Sequence, residues 1–78
     1  MTYNTLNSIL KSNTEIHYIT DCDLYFEENN IDINKFKNNE FILFEYTTQM
    51  IETIKLLKQN NIKYSIHTDE LDLQFIII

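Results

Sequence analysis

Three side chains in this sequence carry the soft donors that hold transition metals or attack carbonyl carbons: His17, Cys22 and His67. A zinc site would need Cys and His paired at short, fixed offsets. Here they are scattered singly and match no such pattern, so none is assigned as a metal ligand. A Cys–His pair could also act as a nucleophile and its base. Asp21 and Asp23 flank Cys22, however, and adjacent negative charge raises a thiol pKa and suppresses the thiolate. Neither a Gly-rich turn nor an Arg is present to stabilise an oxyanion. The expectation is therefore no catalytic residue and no cofactor, with His17 an ordinary sheet histidine and Cys22 inert.

The carboxylates are more informative as a set than as pairs. Asp21/Asp23 and Asp69/Glu70/Asp72 could serve acid–base or Mg²⁺ chemistry. Both groups fall at expected turns, where acids are common for conformational reasons. Taken together, Asp21, Asp23, Glu27, Glu28 and Asp32 form one cluster, and Asp69, Glu70 and Asp72 form a second. If the fold brings both to one edge of a sheet, the result is a strongly negative patch. Such a patch complements a Lys/Arg-lined groove of the kind that holds nucleic acid. Tyr25 and Tyr46 lie near enough in sequence to join the contact. The competing reading is a solvated acidic surface that keeps a small protein dispersed.

Overall charge points the same way. The net charge is −6, and with no Arg the chain lacks bidentate phosphate contacts. Direct nucleic-acid binding runs on phosphate neutralisation and is not expected, nor is binding to anionic membrane surfaces. A basic protein is the natural partner. A hydrophobic fraction of 44% is enough for a core, so the chain folds. The joint absence of Gly, Pro, Ala, Val, Arg and Trp follows no rule of folding. It fits AT-rich coding, as in a low-GC bacterium or its phages and mobile elements. A single Cys leaves no intramolecular disulfide and suits a reducing compartment. Residues 1–7 lack the basic and apolar regions of a secretory signal, and no apolar run is long enough to span a bilayer. A cytoplasmic location is expected.

The elements must be read without Gly or Pro, so Asn, Asp and Ser carry the turns. Asn29-Asn30, Asn38-Asn39 and Asn60-Asn61 each stand where the hydrophobic period changes. Tyr3, Leu6, Ile9 and Leu10 predict a helix over 3–12. Segments 15–20 and 24–28 read as a β-hairpin around Asp21-Cys22-Asp23. Residues 31–37 suit one or two helical turns, capped by Asn30. Phe41–Phe44 is apolar on both faces, as in a central strand running over 41–46. Thr47 or Thr48 can cap the following helix, with Met50, Ile51, Ile54 and Leu57 as its inner stripe. Alternation over 62–67 predicts a strand, and Leu71, Leu73, Phe75 and Ile77 a last one.

The expected fold is thus one α/β (α+β) domain over residues 1–78. It has a small mixed sheet of four or five strands, with helices on one face. A β-α-β crossover sets strands 41–46 and 62–67 parallel, and a C-terminal β-hairpin follows. Phe75, Ile76, Ile77 and Ile78 form an aggregation-prone run that must lie on an inner strand or pair with a second copy. In size, charge and lack of motifs the chain resembles the small acidic inhibitors of phages and mobile elements, such as anti-CRISPR proteins and DNA mimics. That resemblance implies a non-enzymatic inhibitor bound to a basic surface of a nucleic-acid-handling host protein. The alternative is a small homodimeric accessory or regulatory domain, with or without a metal.

Overall fold

The computed structural model describes residues 2–10, 14–44 and 47–78, with only the backbone of Thr47 and Thr48. The elements are α1 (Tyr3–Leu10), β1 (Glu15–Tyr18), α2 (Asp23–Glu28), β2 (Phe41–Phe44), α3 (Thr47–Gln59), β3 (Ser65–Thr68) and β4 (Gln74–Ile77). Two short 3-10 turns, Ile19–Asp21 and Ile33–Phe36, complete the list. The fold is mixed α+β, and its four strands lie in the order β1-β2-β4-β3.

Every neighbouring pair in the sheet is antiparallel. β2 and β3 are joined through α3 and do run the same way, as expected of a crossover. They are not neighbours, because β4 inserts between them and pairs with both. The C-terminal hairpin β3–β4 therefore ends in an interior strand. Phe75, Ile76 and Ile77 are buried, and both edges of β4 are taken. Of the two fates open to this run, the inner strand holds, and it leaves no free edge there for a second copy.

Period-2 alternation in β2 and β4 splits the core into two layers. Phe41, Leu43 and Ile76 face Leu6 and Leu10 of α1 and Met50 and Leu57 of α3. Ile42, Phe75 and Ile77 face Phe26 of α2, Phe36 and Cys22 on the other side. The two longer helices share one face, but the expectation of helices on that face alone is corrected, because α2 and the 3-10 turns cover the second. On α3 the buried stripe is Met50, Thr53 and Leu57, whereas Ile51 is 79% exposed. Ile51 lies about 100° around the helix from Met50, which carries it off a stripe centred on Met50, Thr53 and Leu57. The capping role expected of Thr47 or Thr48 lies outside the described residues.

Residues 24–28, expected as a strand, are helical. The β-hairpin reading used the aromatic content of Leu24-Tyr25-Phe26. Burial decides otherwise, since only Phe26 is fully inside and Tyr25 is half-buried, one contiguous helical face over the β2–β4 sheet. The 3-10 turn at 33–36 is capped by Asp32 rather than Asn30: the Asp32 carboxylate accepts the Asn34 N–H at 3.0 Å.

Two of the three Asn-Asn pairs end helices by one mechanism. Asn30 (φ 54°) and Asn61 (φ 55°) adopt left-handed geometry just past α2 and α3. Behind each, two backbone bonds close the helix: Asn30 N–H to Glu27 O and Ile31 N–H to Phe26 O, then Asn61 N–H to Lys58 O and Ile62 N–H to Leu57 O. This is the Schellman arrangement, with Asn in the place usually held by Gly. The flanking apolar residues Ile31 and Ile62 pack back on the layers of Phe26 and Leu57.

Candidate functional site

The segments that carry the two acidic clusters, residues 21–32 and 69–72, are far apart in sequence and touch through Tyr25, Asn29 and Asn30. The seam is the contact between the C-terminal half of α2 and the β3–β4 loop. The Tyr25 hydroxyl donates to Asp69 Oδ2 at 3.1 Å. The Glu70 N–H donates to Asn29 Oδ1 at 3.4 Å, and the Asn30 side-chain amide donates to Glu70 Oε1. Tyr25 and Asn29 are four residues apart and so share one side of the helix.

Asp69 shapes its loop from within. Its Oδ1 accepts the Leu71 N–H at 2.8 Å and the Leu73 N–H at 3.0 Å. Backbone bonds from Asp72 N–H to Asp69 O and from Asp69 N–H to Leu73 O close the turn, with Asp72 at φ 60°. Asp69 is thus half-buried and occupied. Glu70 and Asp72 are exposed, as are Asp21, Asp23, Glu27, Glu28 and Asp32.

Tyr25 stands differently from the free contact expected of it. Its ring packs edge-on against Phe44 (4.9 Å), Phe26 (5.6 Å) and Phe75 (5.9 Å). Burial, then the bond to Asp69 and its negative charge, push the phenol well above its ordinary range. The side chain therefore acts as a neutral donor that ties the two acidic groups together. Tyr46 lies outside the described residues.

Among the described residues, no ion pair joins a lysine to an acid of the seam. Its hydrogen-bond donors are a phenol, backbone N–H groups and side-chain amides. Lys35 is the described lysine that lines a groove with seam residue Asn30, and it faces His67 and Thr68 there. His17 Nε2 lies 3.7 Å from Glu15 Oε1, both well exposed, a contact that is ionic only with the imidazole protonated. Helix α2 also carries Glu27 and Glu28 in its last turn with no basic residue there, the end at which the helix dipole disfavours negative charge.

The soft donors do not converge. His17 is on β1 and His67 on β3, at opposite edges of the sheet, separated by three strand spacings or about 14 Å. Cys22 is buried just before α2. Its thiol pKa is raised first by that burial and then by Asp21 and Asp23. The sequence named the acids; the larger cause is the fold.

Residues 65–67 hold a pairing that the sequence reading missed. Ser65 Oγ and His67 Nε2 are 2.8 Å apart. They are two apart on a strand and so share a face, which alternation alone could have shown. The imidazole is packed against Phe75 (5.6 Å, stacked) and Phe36 (4.9 Å, edge-on). Burial first, and then the nearby Lys35, lower its pKa. A Ser–His nucleophile needs a carboxylate to stabilise its imidazolium; a lysine opposes it.

Beside this strand runs a groove of about 410 Å³. Ile66, His67 and Thr68 line one side and Asn30, Ile31, Lys35 and Phe36 the other. A second groove, of about 390 Å³, lies between Tyr18–Thr20 and the 33–40 segment.

Comparison with protein-family models, with curated proteins and with solved structures gave no match. No helix among the described residues is long and apolar enough to cross a membrane.

Proposed function

We propose that this chain is a small acidic, non-enzymatic inhibitor, encoded by a phage or mobile element and acting in the cytoplasm. It binds a basic surface on a nucleic-acid-handling host protein, in the manner of anti-CRISPR proteins and DNA mimics. The observation that carries this reading is the seam between α2 and the 69–72 loop. The segments bearing two acidic groups are joined through neutral donors, and among the described residues no lysine forms an ion pair with them. Concentrated charge of one sign costs stability through self-repulsion and accelerates encounter with the opposite sign. The contact comprises the exposed Asp21, Asp23, Glu27, Glu28, Asp32, Glu70 and Asp72. Tyr25 and Asp69 hold the geometry.

The test is capture of host proteins by the tagged chain at low and high salt, alongside a variant with Asp23→Lys, Glu27→Lys and Glu28→Lys. Among the described residues no hydrogen bond of the seam is made by these three side chains, and a circular-dichroism spectrum matching the parent's checks that the variant folds. The expected result is one nucleic-acid-handling protein captured at low salt and lost both at high salt and with the variant. Capture that survives both changes would overturn the reading.

A further inference from the structure

The outer edge of β3 leads directly into the acidic 69–72 loop and offers backbone groups beside its side chains. β3 ends the sheet, and among the described residues no strand pairs with its far side. Because the Asp69 N–H bonds to Leu73 O, the Asp69/Leu73 pair is hydrogen-bonded. Alternation along an antiparallel ladder then sets His67/Phe75 and Ser65/Ile77 as the other bonded pairs. Ile66 and Thr68 consequently turn their N–H and C=O groups outward, about 6.7 Å apart, the repeat of an extended chain.

Sheet edges are usually guarded by Pro, by charge or by a bulge. The segment Ser65-Ile66-His67-Thr68 contains no Pro, Lys, Arg, Asp or Glu, and its register with β4 runs without a bulge. Ile66 is moreover 41% exposed. The other edge strand, β1, is better protected: it carries Glu15, and Tyr18 stacks under Tyr3 of α1 at 5.9 Å.

We infer that β3 accepts an extended, net-basic segment of the partner protein as a fifth strand, with one side chain of that segment seated in the groove between β3 and Lys35. Residues directly opposite in neighbouring strands share a face. The residue opposite His67 therefore turns into the groove, over Phe36, where Lys35 favours a side chain that accepts hydrogen bonds. Lys or Arg residues further along pass the 69–72 loop and meet Glu70 and Asp72. A second copy of this chain is a poor occupant, because pairing would bring two charges of −6 together. The sign of the partner's charge rests on the function proposed above; the free edge and the groove do not.

Amide exchange measured by NMR tests this directly. The probe is a capped extended peptide of about eight residues with a central Glu between Val residues and Lys at both ends. Two controls accompany it: the charge-swapped peptide, with central Lys and terminal Glu, and the first peptide N-methylated on alternate amides. In the free protein Ile66 and Thr68 exchange quickly while His67 is protected by β4. The first peptide is expected to slow exchange at Ile66 and Thr68 by about tenfold or more. His67 stays unchanged, salt weakens the effect, and methylation abolishes it. Thr68→Pro, which removes an outward N–H and no bond to β4, gives the same loss from the protein side.

Unchanged exchange at both amides overturns the inference. If the peptide then still shifts the resonances of Glu27 and Glu70 in a salt-dependent way, strand addition alone has failed and the acidic-surface reading stands. Equal slowing by the charge-swapped peptide refutes the basic occupant, and with it the charge logic of both proposals. Slowing that grows with protein concentration in the absence of peptide identifies a second copy as the occupant, which also overturns it.

Discussion

Replacing Asp69 with alanine tests whether the seam is held by one carboxylate. Asp69 accepts three hydrogen bonds, from Leu71 N–H, Leu73 N–H and the Tyr25 hydroxyl. The two loop donors are exposed enough for water to replace the lost acceptor, so each is worth about 0.5–1 kcal/mol. The Tyr25 hydroxyl is partly buried and loses about 1 kcal/mol when left unpaired. Asp69→Ala should therefore cost about 2–3 kcal/mol, a large share of the roughly 5 kcal/mol a domain of this size holds. Asp69→Asn keeps an oxygen for the two loop N–H groups and removes the same charge, so its cost should stay below about 1 kcal/mol. Urea unfolding separates them: with a slope near 1 kcal/mol/M, the alanine midpoint falls by about 2–3 M and the asparagine midpoint by less than about 1 M. A double-mutant cycle with Tyr25→Phe should return a coupling of about 1 kcal/mol. Alanine and asparagine variants that agree within about 0.5 kcal/mol would refute the argument, because the loss would then reflect charge and not the acceptor.

Acid should weaken the fold through His67. Its folded pKa lies below the ordinary 6.5, so the unfolded chain takes the proton first. The stability that His67 contributes is complete above pH 6.5 and is lost as pH falls from there through the lowered folded value. His67→Gln should flatten this part of the pH profile of the urea midpoint; an unchanged slope would assign it to other groups. At the end of α3, Asn61→Val should cost about 1–2 kcal/mol, because a β-branched side chain resists the left-handed geometry, while Asn61→Gly should be neutral or slightly stabilising. Thermal unfolding of the two variants decides it, and equal melting points would remove the strain argument.

Much of the fold is local physics written in the chain. The doubly apolar Phe41–Phe44, the period of α1 and α3 and the Asn-Asn pairs each announce an element or its end, because hydrophobic spacing and left-handed tolerance act within a few residues. Net charge, too, is a property of composition. Short, apolar-aromatic stretches are where that reading fails. Leu24-Tyr25-Phe26 suits a strand or a helix equally well, and only the open face of the β2–β4 sheet selects the helix. Strand order is likewise invisible locally: nothing in Gln74–Ile77 says that it will separate β2 from β3, since that depends on which apolar strand must be buried on both faces and along both edges. The site follows the same division. The sequence names the acids, but the meeting of α2 with the 69–72 loop, the engagement of Asp69 and Tyr25, and the groove between β3 and Lys35 exist only once the chain has folded, because each joins residues about thirty to forty-five positions apart.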